Sequence, residues 1–133
     1  MSSLYGFMLC FELISKRFFA RMSIIQITVQ ELAQRLAGDR QDLQLIDVRE
    51  HDEVEIAAIA GFTILPLSEN EEWAGDFKEK FDPQVETLVL CHHGMRSAQM
   101  CQWLVNQGFT NVKNIEGGID SYAYIVEPTM AKY

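Results

Sequence analysis

Thr87-Leu88-Val89-Leu90-Cys91-His92-His93-Gly94-Met95-Arg96-Ser97 runs from an apolar stretch of strand length, through a short turn, into an apolar-periodic run over 97–107. Residues 87–90 suit a strand buried on both faces, and Gly94 permits the turn that follows. Gly108 closes the helix expected over 97–107. A strand that feeds a helix through a tight loop is half of a parallel crossover unit, so this stretch predicts an α/β fold.

The same unit recurs on both sides. Residues 24–28 form a short β-branched run, and Thr28 with Glu31 has the spacing of a capping box, ahead of Val29, Leu32, Ala33 and Leu36 on one helical face. Gly38 ends that helix. Residues 43–48 read as a second strand carrying Asp47, and the acidic patch over 50–55 suits the positive N-terminal end of a short helix. Residues 62–65 give a third short strand closed by Pro66. Beyond it, Trp73, Phe77 and Phe81 at spacings of four predict one helical or lid-like segment over 67–81. A further strand over 112–115 precedes Gly117-Gly118, which opens a last helix to residue 126. Strands spaced in this way, with almost no hairpin signal, imply right-handed crossovers and a mainly parallel sheet covered on both faces.

The chain has 133 residues, 48% of them apolar and 23% charged, which suffices for one domain with a sizeable core and excludes two. Eight glycines and three prolines, with no repeat, exclude linker-rich and solenoid chains. A net charge of −8 leaves no basic stripe for nucleic acid or an anionic membrane, so a basic protein acceptor is the macromolecular partner that fits. Cys10, Cys91 and Cys101 are odd in number and contain no C-x-x-C pair, so neither a disulfide framework nor a structural zinc site is expected. A reducing, cytoplasmic setting follows. Residues 1–22 carry +2, leaving −10 for residues 23–133, and their apolar run is too short to span a bilayer. They are read as an extension or an upstream start dispensable for a domain over 23–133, in preference to an organelle-targeting peptide.

Chemistry converges on Cys91. In such sheets the binding site lies beyond the carboxyl ends of the strands, where residues 87–90 deliver this cysteine. The loop His92-His93-Gly94-Met95, ending at a helix N-terminus, forms an anion cradle of backbone N–H groups fit to hold a negatively charged sulfur adduct. Arg96 adds a permanently charged fork for an oxyanion, and Ser97 either caps the helix or donates toward the sulfur. Cys101 falls on a helical core stripe with Ala98, Leu104 and Val105, which gives it a packing role. His92 and His93 are expected to point apart and, lacking a further ligand cluster, to shape the pocket without holding a metal.

The run from Cys91 to Ser97, with Asp47-Val48-Arg49-Glu50 upstream and Gly117-Gly118-Ile119 downstream, resembles a single-domain rhodanese of the thiosulfate sulfurtransferase family over about residues 24–133. The resemblance implies a five-stranded parallel sheet with helices on both faces and no cofactor. It further implies that Cys91 accepts sulfane sulfur, from thiosulfate or a persulfide donor, as a persulfide and passes it to a thiol, cyanide or protein acceptor. Carried over, residues 92–96 are the active-site loop, and Asp47 and Arg49 form an ion pair buttressing it. Cys91 to Arg96 is C-x4-R, one residue shorter than the C-x5-R of the cysteine-dependent phosphatases, which favours sulfur over phosphate. Ala57-Ala58-Ile59-Ala60-Gly61-Phe62 departs from the family's G-H-I-P-G-A stretch, predicting a looser loop near Ala58, and Tyr122 replaces a common Trp. A function of another class is a non-catalytic binding or sensor module that docks a basic partner on the acidic face.

Overall fold

The computed structural model describes residues 24–133, so the extension expected over 1–22 lies outside the described residues. Strands β1 (Ile25–Ile27), β2 (Leu43–Asp47), β3 (Thr63–Ile64), β4 (Glu86–Leu90) and β5 (Val112–Ile115) form one wholly parallel sheet in the order β1-β5-β4-β2-β3. The helices are α1 (Val29–Ala37), α2 (His51–Ile56), α3 (Asn70–Trp73), α4 (Phe77–Lys80), α5 (Met95–Asn106) and α6 (Gly118–Ile125).

The period-two alternation of β4 divides the core. Leu88 and Leu90 pack with Leu32, Leu36, Ile115 and Ile119 in one cluster, whereas Val89 and Cys91 pack with Met100, Cys101, Leu104 and Phe77 in the other. Burial on both faces explains why the central strand reads as a continuous apolar run. At the start of α1 the Thr28 hydroxyl oxygen accepts from the Glu31 N–H at 3.1 Å, as the spacing predicts.

The single segment expected over 67–81 breaks into a 3₁₀ turn (Leu67–Glu69), α3 and α4, with Ala74-Gly75-Asp76 between the two helices. A glycine inside a helix costs about 1 kcal/mol against alanine, and packing takes precedence over continuity here. The Trp73 indole N–H donates to the Pro66 carbonyl at 2.8 Å. Phe77 stacks on Phe81 at 4.5 Å between centroids and meets Trp103 edge-on at 5.3 Å. The aromatic stripe therefore survives the break. In the segment lacking the family's His and Pro, Ala57 and Ile59 are buried in the core, and Arg40 donates to the Ala60 carbonyl at 3.4 Å. Ala58, between these two anchors, is exposed. Tyr122 is buried in the same cluster. Among the described residues no helix is long and apolar enough to cross a membrane.

Phe77 joins α4 to Trp73, Phe81, Trp103 and Phe109. Phe77→Ala is expected to lower unfolding free energy by about 3–5 kcal/mol, read by urea denaturation. A change under 1 kcal/mol would show that the cluster closes over the cavity.

Candidate active site

Cys91 follows β4 directly and is 1% exposed. Its Sγ accepts a hydrogen bond from the Gly94 N–H at 3.0 Å, which closes the loop back onto the sulfur. Gly94 makes the turn at φ +97°, a left-handed conformation, and forms the N-cap of α5 without any side-chain cap. The first-turn N–H groups of this 12-residue helix therefore have no intrahelical or capping acceptor, and the positive end of its dipole lies next to the sulfur.

Ser97 is the third residue of α5 and fully buried, and the N-cap is Gly94, so Ser97 is not the cap that the sequence allowed. Its Oγ is 3.2 Å from Cys91 Sγ and hydrogen-bonds Asn114 Oδ1 on β5. The Asn114 amide nitrogen donates to the Gly94 carbonyl and to Gln26 Oε1, each at 3.0 Å. Since a carbonyl only accepts, the Gly94 bond fixes the amide, leaves Oδ1 facing Ser97, and commits the serine proton to Asn114. The Cys91 thiol is then the donor in its contact with Ser97.

The carbonyls of the loop dock on α6. Cys91 O accepts from the Ile119 N–H at 2.9 Å and His92 O from the Asp120 N–H at 3.0 Å. Gly118 makes this approach possible, for a Cβ there would overlap both carbonyl groups, and its φ of +62° already disfavours other residues.

Arg96 does not stand free for an oxyanion. Its two terminal nitrogens donate to Glu53 on α2 at 2.7 and 2.9 Å in a bidentate pair, so its carboxylate partner is neither Asp47 nor Glu50. The Tyr133 hydroxyl donates to Glu53 at 2.8 Å and accepts from Arg49 at 3.0 Å. Arg96 and, after the opposing cost of burial, Tyr133 hold the Glu53 carboxyl down at about 2. The Glu53 pair in turn raises Arg96. Arg49 is fully buried and pairs with Asp47 at 2.8 Å; burial works against its charge, and the hydrogen bonds to Asp47 and Tyr133 outweigh it. This ion pair braces α2 through the Glu53 carbonyl, and reaches the loop only through Glu53 and Tyr133.

His92 and His93 do not diverge as expected. Their ring centroids are 3.8 Å apart, and Tyr133 stacks on His92 at 3.9 Å. Burial, then the neighbouring His93, depresses the His92 imidazole below its ordinary value. With Asp120 the two histidines form a trio whose ligand atoms lie within 4.8 Å of one another. Met95 projects into solvent at 77% exposure. Cys101 is fully buried, and burial pushes its thiol up to about 12, in keeping with a packing role.

Three residues of this arrangement were not singled out from sequence. Glu53 belongs to the acidic patch and stands four residues after Arg49, the spacing of a helical pair. Asn114 stands between Lys113 and Ile115 in a short strand and is buried, but its side-chain role carries no distinct signal in the sequence. Tyr133 carries no local signal, since it reaches residues 49 and 53 only through the fold.

The rhodanese-like domain family model matches residues 28–124. The chain is 42% identical over 115 residues to the rhodanese-like/PpiC domain-containing protein 12, chloroplastic, of Arabidopsis thaliana, covering 85% of this chain and 38% of that protein. It is 34% identical to the putative sulfurtransferase YtwF of Bacillus subtilis, covering 80% of this chain and 98% of that one. It is also 34% identical to the thiosulfate sulfurtransferase GlpE of Coxiella burnetii, covering 62% and 74%. The crystal structure of a rhodanese-related protein from Thermoplasma volcanium superposes with a TM-score of 0.64 at 28% identity, covering 78% of this chain and 95% of that one. The chain thus spans well under half of the Arabidopsis protein and nearly all of YtwF.

Gly118→Ala is expected to destabilise the domain by more than about 2 kcal/mol, because left-handed strain adds to backbone overlap; a thermal melt within 2 °C of wild type would remove this constraint. The Glu53 carboxyl lies near 2, against an ordinary 4.5, so the stability it contributes is complete above about pH 4.5 and is lost as pH falls toward 2. Urea unfolding from pH 7 to pH 2.5 should show the deficit of Glu53→Gln holding steady above pH 4.5 and shrinking below it. A deficit that grows on acidification would contradict the Arg96 pairing.

Proposed function

Because the chain belongs to the rhodanese-like domain family, with relatives named as sulfurtransferases, we propose that it is a sulfurtransferase that carries sulfane sulfur as a persulfide on Cys91. The observation that supports this most directly is the Gly94 N–H on Cys91 Sγ at the uncapped N-terminus of α5. Backbone dipoles there favour an anionic sulfur. The thiolate attacks the outer sulfur of the donor, a new S–S bond forms on Cys91, and the donor's own bond to that sulfur breaks with its electron pair leaving on sulfite or a thiolate. An acceptor thiol, cyanide or protein nucleophile then takes the same sulfur from Cys91.

In this reading His92, His93, Gly94 and Met95 form the loop around the transferred sulfur. Arg96, paired with Glu53, stands at its rim and ties α5 to α2. Ser97 and Asn114 hold the loop against β5. Asp47 and Arg49 keep α2 in place so that Glu53 meets Arg96. The free thiols of Cys91 and Cys101 fit a reducing compartment such as the cytoplasm, and the acidic surface fits a basic protein acceptor.

Incubation with an excess of sulfane-sulfur donor should add the mass of one sulfur atom to Cys91, removable by cyanide with release of thiocyanate. Cys91→Ser should lose both signals, while Cys101→Ala should keep the rate per folded molecule. Mass gain that persists in Cys91→Ser, or equal loss in the two variants, would refute the assignment.

A further inference from the structure

The charges around the loop are already paired. Arg96 is the loop's one permanent cation, and two of its five N–H donors, one on each terminal nitrogen, bind the Glu53 carboxylate that neutralises its charge. The Tyr133 hydroxyl and the Glu50 N–H give that carboxylate two more hydrogen bonds, so Glu53 stays ionised and bound at neutral pH. The next nearest guanidinium, Arg49, is buried and neutralised by Asp47. On the other side stands Asp120, 3.8 Å from His93 Nδ1. A sulfur dianion approaching Cys91 therefore meets backbone N–H groups and no uncommitted arginine in the loop. Beside the pair, exposed Met95 offers an apolar contact instead.

We propose that Glu53 is a specificity-determining residue: by occupying Arg96 it turns the site away from sulfur oxyanions such as thiosulfate and toward organic persulfides, R–S–SH, of low negative charge. The inference rests on the sulfurtransferase reading above and adds the donor class to it. In the favoured step the Cys91 thiolate attacks the outer sulfur of R–S–SH. The Cys91–S bond forms as the donor S–S bond breaks, the electron pair leaves on R–S⁻, and the proton stays on the transferred sulfur. No oxidant or reductant is consumed.

The test compares rates of persulfide loading on Cys91, followed by mass spectrometry, from thiosulfate and from the persulfide of N-acetylcysteine amide, which carries at most one negative charge. Glu53→Gln should speed loading from thiosulfate about tenfold or more while changing loading from the persulfide by less than about threefold, because a full charge is removed beside Arg96. The gain should disappear when Arg96→Ala is added to Glu53→Gln. Wild-type protein gives an independent reading should Glu53→Gln fail to fold. Thiosulfate loading should quicken as ionic strength rises, since salt screens repulsion, whereas an available Arg96 would make it slow. Folded Glu53→Gln with unchanged or slower thiosulfate loading, or wild-type loading that slows with salt, overturns the inference alone. Loading by neither donor overturns the sulfurtransferase reading itself. A persulfidated peptide that loads faster than the amide assigns the persulfide to a protein carrier, and equal rates assign it to a free thiol; both uphold the donor class.

Discussion

A loop that turns its N–H groups toward a sulfur must turn carbonyls away from it, and buried carbonyls need donors. Here the donors are the first-turn N–H groups of α6, which would themselves lack partners in an isolated helix. Cys91 O and His92 O meet Ile119 N and Asp120 N at 2.9 and 3.0 Å, so two sets of unsatisfied groups cancel each other. This requires β5 to lie beside β4, as the sheet order provides, and it requires no side chain at residue 118. Asn114 adds a third tie from β5 to the Gly94 carbonyl. The geometry of the sulfur site is thus set by a neighbouring crossover unit and not by the loop alone.

The same convergence explains the charges. An arginine in the first turn of a helix faces the positive end of the dipole, whereas a glutamate in that position is favoured. Arg96 occupies the unfavourable place on α5 and Glu53 the favourable one on α2, and their bidentate pair offsets the first with the second. Breaking that pair leaves a cation at a helix N-terminus, which suits an anionic ligand and costs the resting state. Tyr133 raises the barrier to breaking it, since its hydroxyl links Glu53 to the buried Arg49.

What sequence conveyed follows from how local each feature is. The strand 87–90, the turn at Gly94 and the helix after it are encoded by neighbours in the chain, and β4, α5 and β5 appear within two residues of their expected bounds. The break at Gly75 was hidden because the spacing of Trp73, Phe77 and Phe81 satisfies a helix and also a tertiary aromatic stack. The partner of Arg96 was hidden because four carboxylates, Asp47, Glu50, Asp52 and Glu53, lie within seven residues, and only the rotation of α2 decides which one faces α5. The histidine pair was misjudged because adjacent side chains diverge in a strand but need not in a turn, and Tyr133 stacks on the free face of His92.

The hydrogen bonds at Sγ also bear on the class of reaction the site serves. Among the described residues, the Gly94 N–H and the Ser97 hydroxyl are its hydrogen-bonding partners, and the serine proton is committed to Asn114. His92, the nearest imidazole in sequence, stacks against Tyr133. Among the described residues, no general base hydrogen-bonds the sulfur. Hydrolytic chemistry on an amide or a phosphate ester needs an acid at the leaving group, because the departing nitrogen or oxygen is strongly basic. Exchange of one S–S bond for another does not, since sulfite and thiolates leave as stable anions. The proposed movement of sulfur between thiols therefore asks of the site a cradle of fixed dipoles and no proton relay.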